Sequence, residues 1–279
     1  MKLALFARAL AIRAFSVYAA EARPIDDLFV VDTTSCGEYL IAQANGDSLL
    51  QQWVNEAADM ASAAINMFQN AKEGNPRNYE LAYLKGLFDT NVGDAAIYDI
   101  DVVLLNTYLC LENGELPEGN SVKPWLYCND DGFIRKNPTD MAVQIDGQPA
   151  TANGHPISIG DLYKTKIAAI TSKGKLPKVF LVEMAASGNN SPRAEYIILG
   201  GTDQNNICAQ TVAETFVAQR NANVPIILLC PSVFTSNRPA LGSVKPQPVF
   251  PDGPAVPQSL TDVLQKSYPL LHELFHFCP

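Results

Sequence analysis

The chain has 279 residues, 47% of them hydrophobic and 18% charged, which is too apolar for disorder and long enough for one large domain or two smaller ones. The net charge is −9, and Lys and Arg are scattered without a basic run or stripe. Nucleic acid and anionic membrane surfaces, which are held through basic patches, are therefore not expected as partners.

Residues 1–20 carry Lys2, Arg8 and Arg13 and no acid, and Ala20-Glu21-Ala22 follows as an A-x-A cleavage pattern. Residues 1–22 read as a secretory signal peptide, with an amphipathic mitochondrial presequence as the alternative. The segment is too short and too charged to span a membrane. The domain proper is then 23–279. Its six cysteines, Cys36, Cys110, Cys128, Cys208, Cys230 and Cys278, are an even number behind a signal-like leader, which favours disulfides without ranking the pairings. None forms C-x-x-C, so neither a cysteine zinc knuckle nor a thioredoxin-like site is expected. Asn189-Asn190-Ser191 is a glycosylation sequon in a turn-rich stretch.

In chain order, a short strand is expected at 28–31. Leu50, Trp53, Val54, Ala57, Ala61, Ala64, Ile65 and Phe68 recur at helical spacing and predict a helix over 48–71, stopped by Gly74, Asn75 and Pro76. A second helix is expected over 79–88. Residues 95–110 are apolar and β-branched and fit strand or helix. Between 112 and 160, Asn113-Gly114, Asp131-Gly132, Asp146-Gly147 and Asn153-Gly154 punctuate short pieces, the pattern of small β-hairpins. A helix is expected over 162–170, strands over 178–184, 196–199 and 225–230, and a helix over 212–222. The proline-rich stretch 231–258 is expected to lack regular structure. Ser259 and Asp262 then mark a helix start, and Pro269 suits the first turn of a terminal helix.

That last helix carries His272-Glu273-Leu274-Phe275-His276. Two histidines four residues apart lie on one helix face, one turn apart, and can reach a single Zn2+ through neutral ring nitrogens. Glu273 is turned by about 100° from its neighbour, where it can take a proton from zinc-activated water and need not ligate. A Lewis acid beside a positioned base is what amide hydrolysis requires. H-E-x-x-H arises by chance in a chain of this length on the order of 1% of the time. Here the flanking Leu270, Leu271, Leu274, Phe275 and Phe277 are all bulky and uncharged, and only one further histidine, His155, exists in the chain. His155 reads as an exposed loop residue, and Asp130, Asp131 and Asp140 as turn residues. Cys278 lies about 200° round the helix from His276 and faces away from the ligand pair.

With these residues in place the chain resembles the zincin metallopeptidases. More narrowly, it is similar to the deuterolysin-like, or aspzincin, secreted endopeptidases of fungi and the related lysine-specific metallo-endopeptidase domains. The segment 271–276 and the upstream Ile226-Ile227-Leu228-Leu229-Cys230-Pro231-Ser232-Val233-Phe234 carry the resemblance, with Asp32-Thr33-Thr34-Ser35-Cys36 before the alanine-rich helix as a weaker match. It is strongest over 225–277. The resemblance implies an α+β zincin-like domain, helix-rich with a small mixed sheet and a C-terminal active-site helix. It also implies Zn2+ as cofactor, His272 and His276 as its ligands, Glu273 as the general base, and a peptide or protein substrate outside the cell. The family's third ligand is an aspartate in a G-T-x-D segment downstream of the helix. Gly201-Thr202-Asp203 resembles it in letters but stands upstream. The expectation is thus a secreted zinc metalloendopeptidase with a partial site, as in a truncated or degenerate relative. The alternative is a non-catalytic zinc-binding or partner-binding protein on the same scaffold.

Overall fold

The computed structural model describes residues 22–72, 96–116, 122–184, 193–201, 206–209, 211–219, 224–238 and 265–277. The leader, the helix expected over 79–88, the sequon at Asn189, the start marked by Ser259, and Cys278 lie outside them.

The chain enters through a single helical turn, Ile25–Leu28, into β1 (Val30–Val31). A second turn, Thr33–Cys36, begins at Asp32, whose carboxylate accepts the Ser35 N–H at 2.8 Å. The first long helix, α1 (Leu49–Lys72), starts where Ser48 Oγ accepts the Gln51 N–H at 3.1 Å, satisfying one of the donors that a helix start leaves open. Leu50, Trp53, Val54, Ala57, Ala61, Ile65 and Phe68 are all buried, so the helical period seen in the sequence is the face that meets the core. The ambiguous stretch resolves as α2 (Ala96–Asn113). Its 18 residues are helix length, not strand length, and length outweighs the β-branched composition. Gly114 ends it in the left-handed region at φ 68°, with its N–H on the Cys110 carbonyl at 2.9 Å. Asn113-Gly114 is accordingly a helix cap, where a hairpin turn was expected.

Next come β2 (Trp125–Tyr127), β3 (Phe133–Lys136), and a two-strand hairpin of β4 (Thr151–Ala152) and β5 (His155–Pro156). The hairpin turns at Asn153-Gly154, with φ of 51° and 78°, the positive values that a type I′ turn needs at both centres. After α3 (Lys164–Thr171) come the paired strands β6 (Leu176–Met184) and β7 (Arg193–Gly201). The expected helix over 212–222 is corrected by the structure: its described part contains β8 (Ala213–Val217), antiparallel to β9 (Pro225–Leu229). The five ladder partners along β9 override its weak helical preference.

The strands form two sheets, one ordered β1-β2-β9-β8 and the other β3-β6-β7, beside the β4-β5 hairpin. In the first, β1, β2 and β9 run parallel and β8 is the antiparallel edge. The fold is thus mixed α+β, with more sheet than one small mixed sheet. Alternate side chains divide the core into layers. Leu126, Ile227 and Leu229 face α1, α2 and the terminal helix. Tyr127, Phe216, Ile226 and Leu228 face Phe133, Phe180, Val182 and Ile197 of the second sheet. The outer side of that sheet, with Val179, Leu181, Tyr196 and Ile198, is covered by Ile159 and α3.

Two disulfides join distant segments, Cys36–Cys128 and Cys208–Cys230. Residues 231–258 were expected to lack regular structure, yet Pro231–Phe234 forms one helical turn. It carries Phe234 into a stack between Tyr39 and Trp53, with ring centroids 3.7 and 4.9 Å away. No described helix is long and apolar enough to cross a membrane.

Candidate functional site

The terminal helix α4 (Tyr268–Phe277) carries Pro269 as its second residue, where a missing N–H costs no helical hydrogen bond. Leu270, Leu271, Leu274 and Phe277 are buried against α1 and the helix-facing side of the first sheet. Just before the helix, the buried Ser267 hydroxyl bonds the Glu56 carboxylate of α1. These contacts fix the rotation of α4 about its axis. The apolar stripe points inward, so the stripe with Tyr268, His272 and His276 points outward.

His272 and His276 are both exposed. Their rings meet edge to face with centroids 4.9 Å apart, and their Nε2 atoms converge to 3.3 Å. The Tyr268 ring stands one turn before, 6.1 Å from His272. Two nitrogens bound to one tetrahedral zinc at about 2.0–2.1 Å must lie roughly 3.3–3.4 Å from each other. The Nε2 separation therefore matches that of two adjacent corners of a zinc tetrahedron. In the absence of metal the same spacing admits an N–H···N bond between the rings. Among the described residues no third His, Cys, Asp or Glu joins them in a metal-binding group.

Glu273 faces the other way. It is 4% exposed, and its Oε2 accepts a hydrogen bond from Thr215 Oγ1 of β8 at 2.8 Å. The same hydroxyl lies 3.2 Å from the Glu273 carbonyl oxygen. One proton cannot serve both acceptors fully, and the shorter contact to the carboxylate is the stronger. The neighbouring Glu214 has its carboxyl pushed above the ordinary range, first by burial and then by the charge of Glu273. The strand register explains the arrangement: Thr215 pairs with Ile227 on the helix-facing side, whereas Glu214 and Phe216 pair with Leu228 and Ile226 on the side between the sheets.

The remaining candidates are dispersed. His155 is exposed on the β4-β5 hairpin. Asp130 Oδ2 accepts the Cys208 N–H at 2.9 Å, and Asp140 Oδ2 accepts the Asn137 N–H at 2.8 Å, so both carboxylates stabilise local backbone. Thr215 was missed in the sequence because a helix over 212–222 gives it no fixed partner; reading that segment as a strand places it opposite Glu214 in facing.

Comparison of the chain with protein-family models, with curated proteins and with solved structures returned no match.

Proposed function

We propose that this chain carries the metal-gripping helix of a secreted zinc-dependent endopeptidase of the zincin type, acting on peptide bonds. The observation that carries the reading is the 3.3 Å convergence of His272 and His276 Nε2 on the exposed face of α4. A complete zinc-hydrolase site needs three protein ligands, so the third must come from outside the described residues. Zinc held by His272, His276 and that third ligand would polarise the scissile carbonyl and lower the pKa of water. Glu273 is the proton acceptor of this reading. Thr215 donates to its Oε2 on the inward side of the helix, so taking a proton from water at the histidine face requires the carboxylate to turn away from Thr215. Strand β8 supports a peptide substrate, since it is the edge of its sheet among the described residues and its central residue touches Glu273. An extended peptide added to that edge would pass the carboxylate. Two disulfides support an oxidising, extracellular setting.

Zinc content of the purified chain, measured by mass spectrometry for wild type, His272→Ala and His276→Ala, tests the ligands. Cleavage of a peptide library with and without chelator, for wild type and Glu273→Gln, tests the chemistry. The expected result is zinc lost in each histidine variant and chelator-sensitive cleavage lost in Glu273→Gln. Zinc content unchanged in His272→Ala would overturn the reading.

One observation favours a second reading. Glu273 is buried on Thr215 while the imidazoles are exposed, an arrangement that suits a non-catalytic zinc-binding or partner-binding protein on a peptidase-like scaffold. Histidine-dependent zinc binding that survives Glu273→Ala, without cleavage of any peptide, selects it.

A further inference from the structure

The carboxylate of Glu273 and the histidine rings stand on different sides of α4. His272 and His276 are exposed, whereas Glu273 is buried and its Oε2 accepts the Thr215 hydroxyl at 2.8 Å. Thr215 cannot follow the carboxylate outward. It is the central residue of β8, paired with Ile227 of β9, and its branched side chain is stiff at χ1. Glu273 has the long, rotamer-rich side chain of the two and is the partner that can swing.

The hydroxyl has a second acceptor within reach. The Glu273 carbonyl oxygen lies 3.2 Å from Thr215 Oγ1. With the carboxylate inward, the shorter contact takes the proton. Once the carboxylate leaves, the hydroxyl can donate to the carbonyl instead, so no buried donor is orphaned. Each position of Glu273 therefore comes with a satisfied Thr215, and the two positions form a two-state element. Charge biases that element. A buried carboxylate is costly unless its charge is compensated, and a divalent cation on the histidine pair would compensate it from the exposed side.

We propose that Thr215 is a latch: it holds the Glu273 carboxylate inward while the histidine pair is metal-free, and loading the pair with metal is coupled to release of the carboxylate. The proposal rests on the zinc reading of His272 and His276 and adds to it a positioning residue on β8. Coupling of this kind is reciprocal. If loading must open the latch, removing the latch tightens metal binding.

Calorimetric titration of the full chain with Zn2+ tests this. Thr215→Val should bind zinc about ten-fold more tightly than wild type, the equivalent of one hydrogen bond to a charged group. Thr215→Ser keeps the hydroxyl and should bind as wild type does. In a Glu273→Leu background, Thr215→Val should change zinc affinity less than about two-fold, because no carboxylate is left to hold. A merely structural role for Thr215 gives no such gain. The Thr215 methyl resonance, identified by its absence in Thr215→Ser, should shift when zinc is added to wild type and stay in place in His272→Ala. That measurement decides even if Thr215→Val does not fold. Histidine-dependent zinc binding with no gain in Thr215→Val, an equal gain in both Glu273 backgrounds, or a Thr215 methyl unmoved at saturating zinc removes the latch and leaves the metal reading standing. Zinc binding that is absent, or indifferent to His272→Ala, removes both.

Discussion

Replacing Thr215 by Val deletes the side-chain donor that the Glu273 carboxylate has among the described residues, while nearly conserving volume. Valine is as good a strand residue as threonine, so the ladder with β9 should not suffer. No cavity opens, since the change exchanges a hydroxyl for a methyl. What remains is the lost hydrogen bond. Glu273 is 4% exposed and cannot recover a full shell of water, so the cost should be that of a bond to a charged group, about 1.5–3 kcal/mol. Urea unfolding reads this as a lower midpoint at unchanged m-value. Repeating the substitution in a Glu273→Leu background closes a double-mutant cycle. There Thr215→Val should cost no more than about 0.5 kcal/mol, because the partner is gone. Thr215→Ser should recover most of the loss. An equal cost in both backgrounds would refute the reasoning, since the hydroxyl would then act through something other than Glu273.

The two disulfides should contribute unequally. By loop-closure entropy the Cys36–Cys128 link, with a separation of 92, is worth about 4.6 kcal/mol, and the Cys208–Cys230 link, with a separation of 22, about 3.4 kcal/mol. Paired Cys→Ala variants compared by urea unfolding check the order, and a larger loss from the shorter loop would contradict it. Leu274→Ala truncates a fully buried side chain of α4 and should cost about 2–5 kcal/mol. Circular-dichroism melts would show it, and a cost below about 1 kcal/mol would mean that α4 is not packed as described.

Glu214 sets a pH dependence. Its folded-state pKa lies above the unfolded one, so the native state holds the proton more tightly. Stability from this group is therefore highest below the unfolded carboxyl range and falls as pH rises through the raised value. Burial is the larger cause and the charge of Glu273 adds to it. Urea midpoints between about pH 4 and 7 should fall less steeply in Glu214→Gln than in wild type. Parallel slopes would remove Glu214 as the cause.

Much of the scaffold is legible from local pattern. The period of α1 announces both its existence and its buried face, because a helix repeats its environment every 3.6 residues within one segment. Strand β9 is legible as a run of apolar residues, since both its faces are covered. The turn at Asn153-Gly154 is legible because few residue pairs tolerate positive φ twice. Strand β8 is not: its five residues carry little intrinsic preference, and only the presence of β9 alongside selects the extended form.

The same division runs through the candidate site. That His272 and His276 share a helix face follows from their spacing alone, and the apolar flanks dictate that this face turns outward when Leu270, Leu271 and Leu274 turn inward. The sequence by itself thus determines the histidine pair and the hydrophobic cost of turning it any other way. Only tertiary structure decides that Glu273 meets Thr215, or that Lys178 and Glu214 line one cavity. Those pairs lie 58 and 36 positions apart along the chain. Local periodicity carries no information across such a span; what brings them together is the packing of two sheets and a helix around shared apolar faces.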